Sequence, residues 1–392
     1  MNKNILMIAY TNYATDSRVM REAEALVEDG LNVDFLCLKD NNKNREILNG
    51  VNIIKIRQRR SRSNRKIFYI LSYIIFCLRA LFLTAWLFIK KKYYLVHVNN
   101  LPDFLVFAAF VPKIFGAKII LDIHDPLPET FLTKFKGNRK NFVYVLLLWI
   151  EKLSACFADA VITVSNPIKD DILMGHGLSG KKIYVVSNFA DSKLFNFNKD
   201  YKIDDKIKLI FHGTIAERFG IDNVLYALAR IRKNSSFEFK IIGKGVYSSR
   251  LKEIINELNL NDIVKFDNFT YEVNDLPKLL RSYHIGVISY NFSHATNYML
   301  PVKLLEYFSM GIPSIAPKTK VISHYFGDNL VLYYEPNKPE YISEILESIS
   351  TNPEILYDLR QKIFLNKDLY MWDKEKIKYK KIINSYIGNT NG

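Results

Sequence analysis

Three side chains in the second half of this 392-residue chain, Arg218, Lys244 and Glu306, have neighbours suited to gripping a diphosphate and its ribose. Arg218 closes Phe-His-Gly-Thr-Ile-Ala-Glu-Arg-Phe-Gly at 211–220, between a strand-like apolar run and a helix-length segment. Gly213 allows a sharp turn there, and arginine presents a fixed fork of donors that matches phosphate oxygens. Ile-Ile-Gly-Lys-Gly at 241–245 ends the next apolar run and brings Lys244 to the same sheet edge. Cations already in place stabilise negative charge that builds on a departing phosphate group, without a metal. Either cation alone reads more simply as a solvated surface group. Two of them, each beside a glycine at neighbouring strand ends, favour the phosphate role. Neither glycine cluster has the spacing of a dinucleotide fingerprint or a P-loop, so hydride transfer and P-loop hydrolysis gain no direct support.

The acid comes from Leu-Pro-Val-Lys-Leu-Leu-Glu-Tyr-Phe-Ser-Met-Gly-Ile-Pro-Ser-Ile-Ala at 300–316. Pro301 and Gly311 bound a short helix, because proline fits the first turn and glycine the position past the last. Glu306 on that helix can accept hydrogen bonds from a vicinal diol; the plainer reading is a solvated helix carboxylate. In the first half, Lys-Ile-Ile-Leu-Asp-Ile-His-Asp-Pro-Leu-Pro-Glu at 118–129 reads as a buried strand that sets His124 and Asp125 at its C-terminal edge, with Glu129 beyond. The two prolines are expected to prevent a helix and hold the loop out. The bland alternative for His124 is a structural histidine. After the first strand, Asp16 or Ser17 of Thr-Asn-Tyr-Ala-Thr-Asp-Ser-Arg-Val-Met-Arg-Glu-Ala at 11–23 can cap the first helix.

These segments together resemble the retaining nucleotide-sugar glycosyltransferases of family 4, which have the two-domain GT-B fold. The family pattern Pro-x-Lys-x-x-Glu-Tyr-x-x-x-Gly-x-Pro falls on 301–313, mapping its lysine to Lys303 and its acid to Glu306. Most members carry a further Glu eight positions earlier; this chain has Tyr298, so that contact to the donor sugar would pass to backbone groups around 297–300, Leu300 included. The resemblance implies that Arg218 and Lys244 bind the donor diphosphate and that His124 contacts the donor sugar and assists acceptor activation, with Asp125 and Glu129 as weaker candidates. The run Asp-x-Arg-Val-x-Arg-Glu-Ala implies that Asp16 and Arg18 face the acceptor. Retention of anomeric configuration rests on the family alone.

Stepping along the chain, strand-like runs at 5–9, 33–38, 53–56, 95–98, 119–122 and 160–164 alternate with helix-length segments, and so do runs at 208–212, 237–242, 264–266, 285–289, 314–316 and 330–333. That pattern predicts an α/β protein of two Rossmann-like domains with the active site in the cleft between them. The expected divisions are 1–188 for the acceptor, 189–369 for the nucleotide sugar, and 370–392 returning to the first domain. Cys37, Cys77 and Cys156 match no metal or disulfide spacing; no metal or other cofactor is expected beyond a UDP- or GDP-sugar donor.

The formal charge is +15, and the stretch 55–92 holds eleven Lys and Arg with no Asp or Glu. Within it, residues 67–89 are apolar apart from Ser72, Arg79 and Thr84, long enough to span a bilayer. Arg79 near the middle opposes spanning, and crossing here would divide strands that should share one sheet. The reading is a helix lying in the membrane interface, its basic flanks on anionic lipid, in a cytoplasmic protein peripheral to the inner face of the cell membrane. Nucleic acid is not expected, because the apolar run is continuous and lacks aromatics set among charges. The predicted reaction moves a sugar to a lipid-linked glycan in polysaccharide or glycolipid synthesis. The alternatives are a nucleotide-sugar epimerase of related fold and a non-catalytic membrane adaptor.

Overall fold

A computed structural model describes residues 3–39, 43–58, 66–135, 138–232 and 236–388. The chain forms two compact units, Met1–Asn188 with Glu375–Gly392, and Phe189–Lys374. The strands of the first are β1 (Asn4–Ala9), β2 (Asn32–Leu38), β3 (Arg45–Leu48), β4 (Val51–Ile56), β5 (Leu95–Asn99), β6 (Lys118–Ile123), β7 (Ala160–Thr163) and β8 (Ile183–Val185). They lie in the order β3-β4-β2-β1-β5-β6-β7-β8, parallel except for the β3–β4 pair. Helices α1 (Ser17–Glu28), α2 (Lys66–Lys90), α3 (Phe110–Ile114), α4 (Leu127–Phe135) and α5 (Phe142–Phe157) connect them. Near-continuous Val, Ile and Leu in the central strands are buried on both faces, as a parallel sheet covered by helices requires.

The second unit carries β9 (Ile207–His212), β10 (Phe237–Ile242), β11 (Val264–Asp267), β12 (Ile285–Val287), β13 (Ser314–Pro317) and β14 (Leu332–Tyr334) in the order β11-β10-β9-β12-β13-β14, all parallel. Its helices are α6 (Ile221–Arg230), α7 (Ser248–Glu257), α8 (Leu276–Leu280), α9 (His294–Asn297), α10 (Val302–Met310), α11 (Lys320–Phe326), α12 (Pro339–Thr351) and α13 (Glu354–Asn366). The last helix, α14 (Trp372–Gly388), starts in this unit and continues into the first. Strand order reverses at β1/β5 in one sheet and at β9/β12 in the other, and such reversals open crevices at the carboxyl ends of strands.

One expectation needs correction. The prolines after His124 do not prevent a helix: α4 begins at Leu127, with Pro126 just before it and Pro128 in its first turn, where a missing N–H costs no intrahelical bond. α2 runs from β4 to β5, and both strands lie in one sheet, as expected of a helix that does not span. Of the basic flank, Arg59, Arg60, Arg62 and Arg65 lie outside the described residues.

Candidate active site

The crevice of the first unit is a cavity of about 210 Å³ lined by Ala9, Tyr10 and Thr11 after β1, Asp16 before α1, Tyr73 of α2, Asn100 and Leu101 after β5, and His124 and Asp125 after β6. It brings together three of the residues singled out above, Asp16, His124 and Asp125. Asp16 also caps α1, its Oδ1 lying 3.5 Å from the Val19 N–H. Asn100 fixes the rim: its side-chain oxygen accepts from the His124 N–H at 2.9 Å, and its amide donates to the Asp125 carbonyl at 2.8 Å.

Behind the rim, His124 Nε2 sits 3.0 Å from Asp122 Oδ2 and 3.2 Å from Asn99 Oδ1. Facing two acceptor oxygens, Nε2 carries a proton and Nδ1 is the nitrogen left for chemistry. Arg18 does not reach the cavity. It is buried, with its guanidinium on Asp122 Oδ2 at 2.7 Å, Glu22 at 3.1 Å and the Val186 carbonyl at 2.9 Å. Glu22, His97 and Asp122 form a metal-like grouping, but that guanidinium already supplies its positive charge. Glu129 is buried as well: it accepts from Tyr144 at 2.9 Å and lies 3.3 Å from His176, which Glu129 and Glu151 hold up to about 9 against its burial.

In the second unit, the loops after β9, β10 and β12 are bonded to one another. Gly213 N–H donates to the Ile242 carbonyl at 2.9 Å, Ile215 N–H to the Lys244 carbonyl at 3.0 Å, and Asn291 N–H to the Arg218 carbonyl at 2.9 Å. Arg218 and Lys244 are exposed on this edge. The Arg218 guanidinium packs on the Phe219 ring at 4.9 Å, and Lys303 Nζ reaches the same ring at 5.3 Å and that of Phe211 at 3.6 Å. Lys303 also lies beside Gly213, where a Cβ would stand 3.4 Å from Nζ. Burial pulls the Lys303 ammonium down to about 7, against the opposing pull of Glu306. Glu306 is buried with Oε2 3.3 Å from His212 Nε2. Tyr298 stands among other groups, beside the His294 ring and beneath Lys320 at 5.7 Å, and Leu300 packs against the core. The arrangement offers cations and one carboxylate around a glycine-lined strand edge, a donor set for a diphosphate and a diol.

A family model described as Glycosyltransferase Family 4 matches residues 16–194, and a second, Glycosyl transferases group 1, matches 193–364. The chain belongs to the GT4-type glycosyltransferases. It is 23% identical over 336 residues to a chitobiosyldiphosphodolichol beta-mannosyltransferase of Candida glabrata, covering 76% of this chain and 72% of that one. Its fold is that of sucrose-phosphate synthase from Thermosynechococcus elongatus (TM-score 0.77, 17% identity, 99% and 100% of the two chains). It is likewise that of Anabaena Alr3699/HepE in complex with UDP and glucose (TM-score 0.73, 12% identity, 98% and 100%). The glycosyltransferase therefore has the GT-B architecture of two parallel-sheet Rossmann-like domains, and its chemistry is sugar transfer.

Several site residues of this glycosyltransferase carry no local sequence signal. His212 and Asn291 stand out only once β9 and β12 are neighbours. Asp122 has a signal, an acid inside an apolar strand, which points to a buried partner rather than to solvent. Burial alone would raise its carboxyl, yet Arg18 and His124 hold it well below the usual range. Asp122→Asn leaves the buried Arg18 with Glu22 as its remaining carboxylate partner and is expected to cost about 3 kcal/mol. Because the folded carboxyl is the stronger acid, the parent's advantage is present above about pH 4 and is lost as pH falls through the folded value. Urea unfolding of both proteins between neutral and acid pH measures this; a difference below about 1 kcal/mol at neutral pH contradicts it.

Proposed function

We propose that this glycosyltransferase moves a hexose from a UDP- or GDP-sugar to a lipid-linked glycan at the inner face of the cell membrane, with retention of configuration. The observation that carries the donor half is the meeting of Arg218 and Lys303 on the Phe219 ring beside Gly213, with Glu306 3.3 Å from the adjoining His212. UDP and glucose in the HepE structure support the same donor class, and the diphosphodolichol in the Candida relative's name supports a lipid-linked acceptor. In the reaction the bond from sugar C1 to the diphosphate breaks and its electron pair leaves with the diphosphate, towards Arg218 and Lys244. An acceptor hydroxyl bonds to C1 and its proton passes to an oxygen of the departing diphosphate; His124 is the residue of the first unit proposed to contact the sugar. Asp16 and Asp125 share its cavity and are acceptor contacts; Arg18 and Glu129 act by holding the surrounding elements. The relative's name specifies a beta product, so the anomeric outcome is read directly, from the coupling constant of the product's anomeric proton.

Lys303 makes the donor proposal testable without an acceptor. A diphosphate binds the charged amine, and with the free group near 7 binding draws in up to one proton. UDP or GDP affinity is therefore expected to fall by as much as about tenfold per unit as pH rises above about 7. Calorimetry in two buffers of different ionisation enthalpy counts the proton, and Lys303→Met removes it. Equal affinity for the diphosphate and its free nucleoside, or an affinity independent of pH, sinks the proposed site.

A further inference from the structure

We infer that α5 is a second lipid-embedded helix, so that the bilayer meets a whole helical layer of the first unit and not α2 alone. The inference rests on the membrane reading above and extends it to a helix whose sequence looks like ordinary core.

α5 is turned inside out for a protein in water. Its buried positions include Tyr144, Glu151 and Ser154, with Glu151 fully buried against His176 and Tyr144 bonded to Glu129. Its most exposed large apolar residues are Phe142 at 79%, Trp149 at 60% and Leu153 at 55%, one stripe at spacings of seven and four, with Val145 and Leu146 exposed as well. A helix on a soluble protein shows water its polar face and buries its apolar one. Here the polar side chains are used inside, and the apolar stripe is left for another solvent.

α5 is joined to α2 in one layer. β4 to β5, β5 to β6 and β6 to β7 all step the same way along the sheet, and right-handed crossovers put α2, the 3-10 segment Asp103–Ala109 with α3, and α5 over one face. Ring contacts tie them side by side, Phe88 of α2 to Phe115 at 5.8 Å and Phe107 to Phe157 of α5 at 5.1 Å. On α2 the outward residues include Ile74, Leu78 and Phe82, and on α3 Phe110 and Ile114. A patch built from three helices exceeds the scattered apolar exposure of a soluble monomer.

Charge selects the occupant. Lys90 and Lys92 stand exposed at the end of α2, in a stretch of sequence, 55–92, that holds no acid, while Asp103 and Glu151 of this layer are buried. An apolar face flanked by cations suits an anionic bilayer; a second copy of the same face would set like charges together. α2 also lines the His124 cavity through Tyr73, so the layer adjoins the place where an acceptor's polar head would sit.

The chain's three tryptophans allow a direct test. Trp372 is buried in both proteins, while Trp86→Phe leaves Trp149 as the exposed reporter and Trp149→Phe leaves Trp86. Full-length proteins are mixed with vesicles of phosphatidylcholine and roughly one-third phosphatidylglycerol, with bromine on the acyl chains as quencher. Both reporters are expected to be quenched by the brominated chains, and Trp149→Glu with Leu153→Glu to weaken vesicle binding at least tenfold. Quenching of Trp86 but not Trp149 overturns the role of α5 and leaves the α2 reading standing; quenching of neither overturns both. Doubled mass without lipid, with Trp149 shielded from acrylamide, assigns the face to a second copy and overturns the inference.

Discussion

Replacing Arg218 with alanine is expected to slow sugar transfer a hundred- to a thousand-fold at saturating donor, the size of effect seen when one preorganised donor to a developing anion is removed. Stability should hardly change. The side chain is exposed and rests on Phe219, and the loop is kept in place through its backbone, by the Asn291 N–H on the Arg218 carbonyl at 2.9 Å. Surface substitutions of this kind usually stay within about 0.5 kcal/mol. Single-turnover rates, with donor affinity measured separately, distinguish a lost transition-state contact from weaker binding. Lys244→Ala is expected to act in the same direction, and the double variant to lose less than the product of the two because both cations meet one charge. Turnover within about threefold of the parent for Arg218→Ala rules out its role on the leaving group.

Gly243→Ala tests the scaffold beneath those cations. A Cβ at Gly243 would stand 1.7 Å from the Gly213 carbonyl oxygen and 3.2 Å from Ile215 Cδ1, and the backbone there has φ of 158°. The obstructing atom is main chain, so no rotamer relieves the clash and the 213–220 loop must move off the 243–245 loop. The expected cost is roughly 3 kcal/mol, together with loss of most donor affinity. Gly388→Ala is the matched control: nothing lies within 4 Å of its added methyl, and the position is helical. Denaturant midpoints and UDP titrations of the pair read both effects. A Gly243→Ala protein as stable as the control would mean that the two loops do not need their close approach.

Much of the fold can be read from periodicity. The run at 237–242 coincides with β10, and the apolar stretch at 67–89 grows by one residue at each end into α2. β3 is missed because Arg-Glu-Ile-Leu at 45–48 is a short edge strand, mostly exposed, with no apolar alternation to announce it. Of the candidate site, Gly213, Arg218, Lys244 and Lys303 are legible because each sits near a strand or helix end marked by glycine or proline, and Glu306 because Pro301 and Gly311 bound the short helix that carries it. Arg18 is not: its partner Asp122 lies 104 residues away, and no local pattern separates a buried guanidinium from one offered to a substrate. α5 fails for a related reason. Phe-Val-Tyr-Val-Leu-Leu-Leu-Trp-Ile at 142–150 reads as a core helix, and only the packing shows that its few polar residues face inward.

The first unit is not contiguous, and this governs its assembly during synthesis. Tyr379 of α14 stands 2.8 Å from His97 Nδ1 on β5, Glu375 accepts the Ser187 N–H at 2.7 Å, and Ile383 and Ile387 are buried. A ribosome that has emitted 188 residues has therefore released a sheet still missing part of its covering. Domains generally fold as units in the order they emerge. Here the domain translated first is finished last, after the second unit has been made, and in that interval the nascent chain carries an unfilled groove beside β5.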